Sequence, residues 1–126
     1  MRDFRKLDVW LKAHKLTLRI YKATGSFPPS ELYGLVTQLR RAAVSIEANL
    51  AEGCGRSGDI EKRRFVHIAC GSASELECLL QIARDLDYLA EAPHRELSFL
   101  AVETRKMLYS FGRALGAHGS RLKADG

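Results

Sequence analysis

No run of apolar residues in this 126-residue chain approaches the roughly 18 that a membrane span requires, so a membrane-spanning role is not expected. The opening residues, MRDFRKLDVW, are charged and lack the apolar stretch of a secretory signal, which points to a cytoplasmic protein. Cysteine is scarce. Cys54, Cys70 and Cys78 are odd in number and spaced as neither a disulfide framework nor a CxxC zinc pair, so reduced thiols are expected. His67 lies one helical turn before Cys70, but two ligands fall short of the about four that zinc takes, and neither a metal nor a cofactor is expected. No segment alternates with the period of a strand. Proline occurs only at Pro28, Pro29 and Pro93, which leaves long stretches free to be helical.

What is present fits an all-α chain of one domain, since 126 residues supply apolar surface for one core and not two. Breakers and caps predict four helices. The first runs over about 8–24, with Asp8 as N-cap and Gly25 with the Phe27-Pro28-Pro29 turn as its stop. The second covers 30–53, before the glycine-rich connection from Cys54 to Gly58. The third covers 59–90, and the fourth begins at Pro93 and lasts to about 115. Residues 1–116 form the domain, and 117–126, with little to bury, are expected as a flexible tail. Short connections favour antiparallel neighbours, hence an up-down-up-down four-helix bundle.

The formal charge of +5 is unevenly spread. Residues 1–30 carry seven basic and two acidic groups, 31–92 seven and ten, and 93–126 six and three, so positive charge gathers toward both ends. On the first helix Val9, Ala13, Leu16, Thr17 and Ile20 form the core stripe, while Leu7, Trp10, Leu11, Leu18 and Tyr21 widen the apolar arc beyond what a monomer's surface helix needs. The surplus predicts a subunit interface; scattered exposed leucines are the plainer reading. The remaining arc carries Arg5, Lys12, Lys15, Arg19 and Lys22, a basic stripe roughly 25 Å long at 1.5 Å per residue. Such a stripe is either a phosphate-binding face or a merely solvated one.

Between Gln38 and Arg56 the apolar periodicity of Leu39, Ala42, Ala43, Ile46 and Leu50 shares the helix with a polar band of Gln38, Arg41, Ser45, Asn49 and Glu52. These groups either meet a ligand or satisfy one another at a helix contact. The third helix offers partners in Gly71, Ser72 and Glu75, and a network in which Glu75 accepts from Arg41 while Ser45, Asn49 and Ser72 complete the bonding would fix one helix register. Ser45, His67 and Glu75 are residue types of hydrolytic sites, but no nucleophile elbow, phosphate loop or metal spacing frames them, and no enzyme is expected.

The stretches FRKLDVWLKAHKLTLRIYKAT, FPPSELYGLVTQLRRAAVSIEANLAEGCGR and RFVHIACGSASELECLLQIARDLDYL, with LRRAAVSIxANxAEGxGR followed by AxGSxxEL, resemble the four-helix-bundle proteins encoded in intervening sequences of bacterial 23S ribosomal RNA genes. The resemblance covers roughly residues 4–90; Glu47 stands where many relatives have proline, and Cys54 and Cys70 are individual to this chain. It implies a ring-shaped homopentamer, and it extends to the accessory protein of diversity-generating retroelements, which works with a reverse transcriptase and nucleic acid. RNA or DNA binding through the backbone, with little sequence preference, follows as an expectation. Arg40, Arg56, Lys62 and Arg63, with the basic stripe, are its candidate contacts, and Arg41, Ser45, Asn49, Glu52, Ser72 and Glu75 its inward polar network. The competing expectation is a scaffold that holds another protein and uses its charge for steering alone.

Overall fold

In the computed structural model, which describes residues 3–125 and side chains over 3–116, a 3-10 turn at Phe4–Lys6 leads into helix α1 (Asp8–Thr24). Leu7 occupies the cap with an extended backbone, and Asp8 instead enters the first turn, where its charge complements the helix dipole. α1 ends in a bonded cluster. The Thr24 hydroxyl donates to the Ile20 carbonyl at 2.8 Å, and Arg40, from the next helix, donates Nε to Thr24 Oγ1 at 3.0 Å and Nη2 to the Tyr21 carbonyl at 3.4 Å. The Tyr21 carbonyl, one of the last four that a helix end can leave without intrahelical partners, thereby gains a donor from the next helix.

The single helix expected over 30–53 is three successive pieces: a 3-10 turn at Pro29–Glu31, a π-helical turn at Leu32–Val36, and α2 (Thr37–Cys54). Gly34 marks the break, with φ −112° and ψ −110°. The Glu31 side chain folds back to accept from the Leu35 amide, in the place a Cβ at 34 would contest, and also accepts from the Tyr88 hydroxyl at 3.0 Å. Buried Phe27 packs on the Tyr88 ring at 5.5 Å, so this connector is bolted to the far end of α3.

Gly58, with φ +81°, turns the chain into α3 (Asp59–Asp85). This helix stops five residues before the expected end at 90, for a definite reason. The Asp87 amide donates to the Arg84 carbonyl and the Tyr88 amide to the Ala83 carbonyl, both at 2.9 Å, while Asp87 takes the left-handed conformation at φ 64°. These bonds are those of a Schellman motif, with aspartate at the position that glycine usually fills. α4 (Glu91–Asp125) completes the chain. It starts two residues before the expected Pro93 and runs past the expected end at 115 through 117–125, most of the stretch expected as a flexible tail, whose side chains lie outside those described.

Among the described residues there are four α-helices and no strand. α1 lies against α2 and α4, and α3 against α2 and α4, with little contact across the diagonals: an antiparallel four-helix bundle. Its centre holds Leu16, Ile20, Leu39, Ile46, Leu50, Leu76, Leu80 and Leu108, all fully buried. Buried Thr17, Thr24 and Thr104 each donate to the carbonyl four residues back, and no described buried side-chain polar atom lacks a partner.

Two outcomes follow. Asp87→Gly should raise unfolding stability by about 0.5–1 kcal/mol, because an L-residue in the left-handed region carries strain that glycine does not; an unchanged or lower denaturant midpoint would contradict the motif. The second concerns pH. The hydrogen bond to Glu31, with partial burial and the carboxylate charge adding to it, holds the Tyr88 hydroxyl above the usual tyrosine range. Its contribution is therefore complete below the ordinary tyrosine value of about 10 and is lost as pH rises through the higher folded value. Tyr88→Phe should be less stable at about pH 8, with the gap to the native protein narrowing by about pH 11; equal urea-midpoint gaps at both would count against the bond.

Candidate functional site

The basic stripe of α1 is real as a sequence pattern and largely neutralised in the fold. Lys12 pairs with Glu103 and Arg19 with Glu96, both carboxylates arriving from α4, and Arg5 pairs with Asp3 at 3.4 Å. Only Lys15 and Lys22 stand without a carboxylate partner among the described residues. Glu96 and Glu103 are seven residues apart and so share one face of α4, aimed at the side of α1 that carries Lys12 and Arg19.

The other cations expected at phosphate divide sharply. Arg40 caps α1 and lies over the Tyr21 ring at 4.6 Å, which makes it a structural residue. Arg56 pairs with Glu52 at 2.6 Å and lies over the Phe65 ring at 5.1 Å. Lys62, half-buried, lines an apolar cavity of about 400 Å³ formed with Leu50, Cys54, Val66 and Phe111 at the end of the bundle. Arg63 points elsewhere.

Arg63 enters a groove of about 610 Å³ between the start of α3 and the latter part of α4. One wall is Ile60, Arg64 and His67, and the other is Tyr109 and Arg113; Val66, Leu108 and Gly112 close the floor. Both walls follow helical spacing, 60-63-64-67 on α3 and 109-112-113-116 on α4, so each set shares a face of its helix. Two glycines permit the approach. A methyl at 112 would meet Val66 Cγ1 at 3.3 Å, and one at 116 would come within 2.8 Å of Arg63 Nη1, so the Arg63 side chain lies against bare backbone. No carboxylate lines the groove among the described residues. Arg64 has Glu61 as a partner at 3.2 Å, while Arg63 and Arg113 have no carboxylate partner among the described residues.

Cys70 and His67 both border this groove, but they do not make a nucleophile–base pair. Burial pushes the Cys70 thiol up, with the nearby Arg105 guanidinium only partly offsetting it, opposite to the shift that activates a thiol. Arg105 itself is committed to Glu77 at 2.6 Å. Among the described residues no three His, Cys, Asp or Glu side chains gather as metal ligands.

The polar band of α2 meets α3 as expected at its centre and not at its edge. The Ser45 and Ser72 hydroxyls are 2.8 Å apart, and Asn49 Nδ2 donates to the Ser45 carbonyl at 2.8 Å and to its hydroxyl at 3.0 Å. Arg41 and Glu75 remain exposed and form no ion pair with each other, because both side chains leave the seam toward solvent; Glu52 serves Arg56 instead. Gly71, which the sequence offered as a partner for this band, is exposed with open space at its Cβ position.

The apolar surplus of α1 also divides. Leu7 is buried in the core, where the extended turn before Asp8 folds it inward, and is not available to a partner. Trp10 is half-buried between Phe4 at 4.9 Å and the stacked ring of His14 at 4.8 Å, and His14 reaches Glu47 of α2 at 3.1 Å. Leu11, Leu18 and Tyr21 are exposed, with exposed Val44 on α2.

Arg64, Tyr109 and Arg113 were not singled out by the sequence, and His67 was weighed there only as a metal ligand or hydrolytic residue. The available signal was Gly112 and Gly116, an i, i+4 pair of small residues beside cations on a helix otherwise rich in large side chains.

No curated protein matches this chain. Its fold is similar to the crystal structure of a protein of unknown function from the S23 ribosomal protein family of Bacteroides thetaiotaomicron, with a TM-score of 0.74 at 23% identity over 82% of this chain and 96% of that one. The model of the 23S rRNA-intervening sequence protein family matches residues 5–110, which includes all of α1 to α3 and most of α4. The chain belongs to the 23S rRNA-intervening sequence protein family.

Proposed function

We propose that this protein is a non-enzymatic nucleic-acid-binding accessory protein that holds backbone phosphates in the α3–α4 groove. The observation that carries the reading is a concave site with Arg63 and Arg113 unpaired and no carboxylate lining among the described residues. Guanidinium groups suit phosphate because their planar donor fork matches its oxygens, and release of condensed counterions supplies affinity without reading sequence. The family's name associates it with 23S rRNA, which makes RNA the first ligand to try. Burial raises the Cys70 thiol, opposite to the shift that would activate it as a nucleophile in the same groove.

Self-assembly belongs to the same reading. Leu11, Leu18 and Val44 leave apolar surface exposed on the α1–α2 side, away from the groove, so a homo-oligomer, as the resemblance implies a pentamer, would repeat the groove without covering it. A scaffold that binds only protein is the competing reading, and the exposed strip is what favours it.

Binding to a fluorescent single-stranded RNA, followed by anisotropy over a salt series, separates these. Arg63→Glu with Arg113→Glu should weaken binding at least about tenfold at low salt and make the salt slope shallower by about 1.4, the share of two phosphate contacts. Lys12→Gln with Arg19→Gln should change affinity by no more than about threefold, since those charges are already paired. Undiminished binding by the groove variant, or no binding by the native protein at low salt, would remove the proposal. Separately, Leu11→Glu with Leu18→Glu should reduce the particle size measured by light scattering; a native protein that is already monomeric would contradict assembly through this strip.

A further inference from the structure

We infer that the α3–α4 groove receives single-stranded nucleic acid, with one base lying on the ring of Tyr109 while Arg63 and Arg113 hold the flanking phosphates. The inference rests on the phosphate-binding reading above and adds which form of nucleic acid fits.

The first argument is the state of the ring. Tyr21 lies under the Arg40 guanidinium, and Tyr88 packs on Phe27 and bonds Glu31. Tyr109, on the groove wall, is 60% exposed and has neither a ring contact nor a hydrogen bond among the described residues. An aromatic face left uncovered beside cations is the pairing that single-strand sites use, since every base has a π-face and stacking is indifferent to sequence.

Spacing is the second. Tyr109 and Arg113 are one helical turn apart, about 6 Å along α4, and Arg63 reaches the same wall from across the groove at Gly116. A base on the ring thus has guanidinium groups within reach of the phosphate that follows it. The floor of Val66, Leu108 and Gly112 is apolar, which suits a flat ring better than a hydrated sugar.

Width is the third. Packed helices lie about 8–10 Å axis to axis, and a groove between them is too narrow to seat a duplex, whose major groove alone is about 12 Å wide. Paired bases are also locked in their own stack. A duplex would touch only the rim cations, whereas an unpaired base can turn into the groove and leave its phosphates at the rim.

The experiment uses the full chain with a 12-nucleotide oligo-U RNA, the corresponding oligo-dT, and 12-base-pair RNA and DNA duplexes, all at one low salt concentration. Single strands should bind about tenfold or more tightly than duplexes. Tyr109→Leu should weaken single-strand binding by about five- to a hundredfold, the range of one lost base stack, and leave duplex binding unchanged. Tyr109→Phe should bind as the native protein does, and thermal melts of both variants check that the fold is intact. Equal affinity for single strands and duplexes, with Tyr109→Leu neutral, would overturn the inference while a loss in the Arg63→Glu, Arg113→Glu variant still upheld the phosphate site. Indifference to those charge reversals would overturn both.

Discussion

Everything in this bundle depends on α3 packing against two helices at once. Toward α2 it offers Ser72, which meets Ser45 and through it Asn49, so the contact is held in register by part-buried hydroxyls and an amide that bond one another. Toward α4 it offers Val66 and Arg63, and there the partner withdraws its side chains at Gly112 and Gly116. The first contact is polar and closed. The second is open at its rim because glycine backbone leaves the space unfilled, and the groove with Arg63 and Arg113 lies there.

The same geometry decides where charge is available. A cation on a helix is neutralised or left free by what the neighbouring helix presents, and α4 presents different things along its length. Near α1 it carries Glu96 and Glu103, which take up Arg19 and Lys12. Farther along, beside α3, it carries Tyr109 and Arg113, with no acid lining the groove beside Arg63 among the described residues. Charge that began as a continuous stripe on α1 therefore contributes little outward field, while fewer cations in the groove act on a common space with low-dielectric walls.

The exposed apolar strip and the cationic groove lie on different helix pairs of the bundle. The exposed apolar residues Leu11, Leu18 and Val44 belong to α1 and α2, and the groove belongs to α3 and α4. Between them, the Glu31, Phe27 and Tyr88 contacts tie the connector before α2 to the end of α3 and keep the two halves in fixed relation.

The chain's periodicity determined the helical class, the four helices and the limits of α1 at Asp8–Thr24, because those depend on apolar spacing and breakers within a single segment. It also marked Ser45, Asn49 and Ser72 as polar groups that must find partners. Its errors share a cause. The second helix broke at Gly34 because a Glu31 carboxylate folded onto it, and α3 stopped at Asp85 because Asp87 accepted a conformation that glycine usually takes. Leu7 went inward, Arg40 went to the end of α1, and Arg41 never met Glu75. Sequence spacing states which residues share a face of their own helix; only tertiary structure states what the neighbouring helix brings to that face. The free cations of the groove, and the ring beside them, were decided there.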